Sequence, residues 1–180
     1  MSRRRERRKE EKATFGRKGT ANRYQMREKL VSIGDDYYIH NEAGQRVFHV
    51  DGKALRVRDM LQFKDLQGNV LCQIQERMLT IKDTMAIENA QGKEIARVKK
   101  ALITPLRDRW TAKFKDGPDL DVQGNILDHE YEIKEGRRKI AQVSKKWFRV
   151  RDTYGVEVAP DQEDVLILAV TVALDQMAHN

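Results

Sequence analysis

A single cysteine, Cys72, stands in a chain of 180 residues, so neither an intramolecular disulfide nor a cysteine-based zinc site can form within it. That usage points to a reducing compartment. The four histidines (His40, His49, His129 and His179) are scattered, with no His-x-x-x-His pair and no neighbouring cysteine. Gly-x-Ser-x-Gly, a Walker-type phosphate loop and the dinucleotide fingerprint are all missing. Acidic pairs such as Asp35-Asp36 and Asp119/Asp121 sit in turn-like or alternating contexts that favour solvation. We therefore expect no enzyme, no metal site and no cofactor. The basic N-terminus is not followed by an apolar run, so it does not read as a secretory signal. No apolar stretch reaches the roughly 20 residues that a membrane-spanning helix needs.

Charge is present, but unevenly. Residues 1–23 carry ten Lys and Arg against three Glu, a surplus of seven that equals the net charge of the whole chain. The remaining 157 residues hold 25 basic and 25 acidic side chains. The first 23 residues lack apolar periodicity and read as a disordered tail, in which Arg3, Arg4, Arg5, Arg7, Arg8 and Lys9 would contact a polyanion. Residues 24–180 read as one folded domain.

Within that domain the punctuation is regular. Glu42-Ala43-Gly44-Gln45, Leu66-Gln67-Gly68-Asn69 and Ala90-Gln91-Gly92-Lys93 are turns whose glycines lie 24 residues apart. After each comes period-two alternation. Phe48, Cys72 and Ala96 occupy the fourth position past the glycine, Val50, Ile74 and Val98 the sixth, and a polar residue the fifth. Gly136 opens a fourth, slightly longer copy. A repeat of this length accommodates two strands and two turns. Further strands are expected over 26–33, 37–40, 54–57, 61–64, 79–81, 85–88, 110–115, 119–122, 130–133 and 154–158.

The last segment differs. Between Val165 and Leu174 only Thr171 is polar, so a helix over 161–178 is apolar on every side and must be buried on every side. Asp161 follows Pro160 as the expected N-cap. Many short antiparallel strands and one such helix predict a mostly β fold. The expected form is a closed antiparallel barrel of about twelve strands around a central hydrophobic C-terminal helix, which leaves no open sheet edge.

Two basic clusters interrupt the neutral domain. Residues 134–151 hold eight Lys and Arg with Glu135 the only acid, and residues 97–115 hold seven with Asp108 the only acid. From the first cluster, Arg137, Arg138, Lys139, Lys145, Lys146 and Arg149 are taken as the anionic-ligand site, against the alternative that basic and acidic strands pair across the sheet and cancel. Trp110, Trp147 and Phe148 read as barrel core. Trp147-Phe148 after Lys145-Lys146 also suits a membrane interface. His49 reads as an outward, solvated histidine.

In the C-terminal third, Gly-Asn-Ile-Leu-Asp (124–128), Tyr131-Glu132-Ile133, the run from Ile140 to Trp147, Asp152-Thr153-Tyr154-Gly155-Val156-Glu157-Val158 and the apolar helix ending Ala173-Leu174-Asp175 resemble the LURP-one-related family. The resemblance implies a fold similar to the tubby C-terminal domain and the phospholipid scramblases, a twelve-stranded barrel around a central helix. Tubby-like domains bind phosphoinositides through basic residues on the barrel. The resemblance thus implies a binding module for anionic phospholipid headgroups at a membrane surface, cytoplasmic and peripheral to the inner membrane face. The scramblase calcium segment has a first Asp where this chain has Val150, which argues against calcium binding through Asp152, Glu157 and Asp161. From a different class comes an RNA- or ribosome-associated protein that binds through its arginine-rich tail.

Overall fold

The structure, a computed structural model, describes residues 21–27, 36–52, 60–76, 84–101, 109–148 and 152–179. The tail contacts expected at Arg3 to Lys9, the strands expected at 54–57 and 79–81, and Arg149 lie outside these residues.

Twelve strands follow one another: β1 (Asn22–Arg27), β2 (Tyr37–Asn41), β3 (Arg46–Asp51), β4 (Met60–Lys64), β5 (Val70–Glu76), β6 (Thr84–Asn89), β7 (Glu94–Lys100), β8 (Arg109–Phe114), β9 (Leu120–Asn125), β10 (Glu130–Glu135), β11 (Arg138–Ser144) and β12 (Thr153–Val158). Each pairs antiparallel with its sequence neighbour, and β1 pairs with β12 to close the barrel. The first strand begins at Asn22, two residues ahead of the expected domain start.

The 24-residue repeat is a repeat of hairpins. Asn41, Asp65 and Asn89 each accept from the backbone N–H four residues on, at 2.9, 2.8 and 2.9 Å. Gly44, Gly68 and Gly92 close the turns at φ of 77°, 88° and 78°, which a side chain resists. The register slips once in each hairpin, after Ile39, Phe63 and Ile87, a bulge at the same point of every copy. Period-two alternation then aims Val50, Ile74 and Val98 inward, each with no exposed surface.

The barrel is filled by α1 (Asp164–His179), whose Ile167, Leu168, Val170, Val172 and Leu174 are buried against the strands. The helix begins three residues later than expected, because Gln162 N–H bonds Ala159 O in a separate turn and the first helical bond runs from Ile167 N–H to Glu163 O. Asp161 is therefore not the N-cap. Asp164, in the first turn, accepts from Asn22 Nδ2 at 2.7 Å and from the Tyr24 hydroxyl, which ties the helix entrance to β1.

All six residues of β12 are buried, although alternate ones point away from the helix. Their cover is the 3₁₀ turn Lys145–Trp147 with Phe148. A Cβ at Gly155 would lie 2.6 Å from Trp147 Cε3, so the indole rests directly on the β12 backbone. Beside it, Arg23 Nε meets the buried Glu157 at 2.5 Å and its guanidinium lies 5.4 Å from the Trp147 ring centre.

Candidate anion-binding surface

The six residues expected to form one basic site do not converge. Arg137 and Arg138 stand at one end of β11, and Lys145 and Lys146 at the other. Seven residues of extended chain put those ends about 20 Å apart. Most of their charge is also matched. Arg138 Nη2 donates to Asp161 Oδ1 at 2.6 Å, Lys139 Nζ to Gln142 Oε1 at 2.8 Å and Glu132 Oε1 at 3.4 Å, and Lys146 Nζ lies 3.8 Å from Glu130 Oε2. The register explains this: Glu132 faces Gln142 across β10 and β11, within reach of Lys139. Burial opposes ionisation of Glu132, but Lys139 and Lys134 outweigh it and hold its carboxyl below the ordinary range. The Asp161 carboxyl is lowered chiefly by its bond from Arg138. We expect Arg138→Ala to raise the Asp161 pKa towards the ordinary aspartate value in a carboxyl NMR titration, and an unchanged titration would disprove the pairing.

The second cluster is different. Arg97, Lys99, Lys100, Arg109 and Lys113 on β7 and β8 are all exposed. Arg97 is engaged by Glu94 at 2.9 Å. Among the described residues no carboxylate pairs with Lys99, Lys100, Arg109 or Lys113. Across the strands Arg97 faces Lys113 and Lys99 faces Thr111, while on β6 they oppose Ala86 and Thr84. Two cations directly opposite each other, as Arg97 and Lys113 are, add nothing to strand pairing. Asp121 on β9 and Asp119 just before it mark its acidic border. Lys100 Nζ lies 5.4 Å over the ring centre of Trp110, which is buried as expected.

Trp147 and Phe148 are half-buried on the outer wall, not in the core. His49 is only part-exposed, stacked on Tyr38 with ring centres 4.9 Å apart and 3.5 Å from Asp36. Asp152, Glu157 and Asp161 do not come together. Asp152 is an exposed turn residue, Glu157 belongs to Arg23 and Asp161 to Arg138. Among the described residues no three His, Cys, Asp or Glu side chains gather as metal ligands.

Inside the barrel lies a polar group that no local pattern announces. His129 Nε2 is 2.6 Å from Asp175 Oδ1, both are buried, and the imidazole stacks on Tyr154 with ring centres 4.1 Å apart. Burial first, and then the Asp175 charge, push the Tyr37 and Tyr131 hydroxyls well above the ordinary range. The two partners are 46 residues apart in sequence. Only the fold joins them.

The sequence profile described as LURP-one-related matches residues 22–175, from the first residue of β1 to the Asp175 that holds His129. The chain belongs to the LURP-one-related family. It is 24% identical over 155 residues to the protein YxjI of Bacillus subtilis (strain 168), covering 86% of this chain and 93% of that one. An X-ray structure of a protein from Arabidopsis thaliana superposes with a TM-score of 0.65 at 19% identity, covering 87% of this chain and 90% of that one. At that identity the likeness bears on fold alone, and it agrees with the tubby-like barrel described above. Among the described residues of this LURP-one-related chain, no helix is long and apolar enough to cross a membrane.

Proposed function

We propose that this LURP-one-related domain is a non-enzymatic binding module for anionic ligands, and that its ligand is the phospholipid headgroup layer of a membrane. The observation that carries the reading is the strip of exposed cations on β7 and β8 without carboxylate partners. Three of its four free cations are lysines, compact point charges suited to a diffuse anionic layer. Each basic residue held near such a surface contributes about 1 kcal/mol. The strip carries no exposed aromatic on which a nucleic-acid base could stack. The basic tail would add long-range attraction, and the protein would sit peripherally on the cytoplasmic side of a membrane, without a cofactor.

The charge density of residues 1–23 favours a second reading, in which RNA or the ribosome is held by the tail. Counterion release would then give a steep salt dependence that disappears with the tail.

The proposal is tested by combining Lys99→Ala, Arg109→Ala and Lys113→Ala. We expect affinity for phosphatidylserine-containing vesicles to fall about a hundredfold, the equivalent of three surface charges. Arg138→Ala with Lys139→Ala, which removes cations already matched by acids, should change it little. The reverse order of effects would return the site to β11.

A further inference from the structure

In a regular strand, residues three apart point to opposite faces. Glu94 and Arg97 are three apart in β7, yet they meet on the outer face of the barrel. The register slip after Ile87 places Glu94 opposite Glu88 and leaves Ile95 as the extra residue, which turns Glu94 outward. The same slip in β3 brings Arg46 and His49 to one face. There the Arg46 guanidinium lies 4.2 Å from the Tyr38 ring centre, and His49 stacks on the same ring. In β5 the corresponding residues are Val70 and Gln73. Of the three copies, β7 alone sets a carboxylate beside a cation.

Arg97 Nη2 donates to both Glu94 oxygens at 2.9 Å, and the rest of the guanidinium has no partner among the described residues. Its side chain is 51% exposed and that of Glu94 13%, while Glu88 beside them is buried. Lys113 stands directly opposite Arg97 on β8, about 5 Å away at Cβ, and no carboxylate pairs with it among the described residues. Lys99 and Thr111 form the next row, about 7 Å along the strands. One carboxylate on two cations leaves the Arg97–Lys113 row positive. An exposed ion pair contributes little to stability, whereas an arginine meets a phosphate through two parallel N–H···O bonds. A phosphate on Arg97 would also come within reach of Lys113.

We infer that Arg97 and Lys113 form a phosphate subsite of the strip, which the Glu94 carboxylate holds until a headgroup phosphate replaces it. This rests on the headgroup reading above and adds to it a fifth cation and an internal competitor.

The test uses the full chain in flotation with phosphatidylcholine vesicles, with and without phosphatidylserine. Glu94→Asp keeps the charge but is one methylene shorter, and should strengthen binding to the anionic vesicles about threefold, the worth of the exposed pair that it loosens. Arg97→Lys keeps the charge but loses the fork, and should weaken binding about fivefold. A strip that counted charges alone would bind both variants like the parent. Both should keep the parent unfolding midpoint. In nitrogen-15 NMR spectra the Arg97 Nε–H signal should shift on addition of short-chain phosphatidylserine, and further in Glu94→Asp than in the parent at equal lipid. Binding of the parent with either variant unchanged or shifted the other way, or an Arg97 signal that does not move, overturns the subsite and leaves the headgroup reading standing. Failure of the parent chain itself to float with anionic vesicles overturns both.

Discussion

Replacing Asp175 by alanine is expected to destabilise the protein by about 3 kcal/mol, the upper range for leaving a buried hydrogen-bonding group without its partner. The substitution leaves His129 Nε2 without the acceptor now 2.6 Å away, inside a core where both residues are at most 3% exposed. Asp175 lies near the carboxyl end of α1, where the helix dipole disfavours an anion, so its hydrogen bond to His129 is the more needed there. Urea unfolding followed by circular dichroism should show a lower midpoint with an unchanged slope. His129→Ala should cost a comparable amount. The double variant should fall well short of the sum, because the two residues share one interaction. Additive losses would mean that the contact holds nothing together. The loss is a large part of the 5–15 kcal/mol that a domain usually has in hand, so the Asp175→Ala variant should also lose helix packing on mild heating.

Gly124→Ala is the second large effect. Gly124 sits in β9 opposite Tyr131 at φ 138°, a conformation that L side chains rarely adopt. An added Cβ would lie 2.5 Å from Glu130 O and 2.7 Å from Tyr131 Cα, both main-chain atoms that cannot rotate away. Strain and overpacking of about 1–3 kcal/mol each give a total of about 3 kcal/mol or more. The same change at Gly44, where φ is 77° but nothing lies within 4 Å, should cost only about 1 kcal/mol. Thermal unfolding of the two variants separates crowding from backbone preference. Equal losses would show that the close approach of β9 to β10 carries no energetic weight.

Much of the barrel can be read directly from the residues. Alternation after each glycine aims Val50, Ile74 and Val98 inward, and a helix with only Thr171 polar between Val165 and Leu174 has to be enclosed. Local chemistry sets both features, so they survive without knowledge of the partners. Asn41, Asp65 and Asn89 were legible too, as acceptors spaced 24 residues apart, but the expectation rested on the glycines alone.

The candidate site resisted because it depends on cross-strand register. Whether Lys139 is free turns on where Glu132 falls across the sheet, and whether Arg138 is free turns on a turn residue 23 positions away. Asp161 has the composition of a helix cap and the position of an ion-pair partner. The density of positive charge in 134–151 and in 97–115 is similar along the chain. Among the described residues, folding matches Arg138, Lys139 and Lys146 of the first cluster with Asp161, Glu132 and Glu130, and leaves Lys99, Lys100, Arg109 and Lys113 of the second without acids. His129 and Asp175 give no periodic or spacing signal at all.

The most direct test of headgroup binding by the barrel is co-sedimentation of residues 21–180 at physiological salt, on phosphatidylserine-containing and on pure phosphatidylcholine vesicles. Cutting there keeps Asn22, Arg23 and Tyr24, which bond Asp164 and Glu157. The account predicts pelleting with the anionic vesicles alone. No pelleting, while the full chain still binds vesicles or RNA, would contradict it and transfer the binding to the tail.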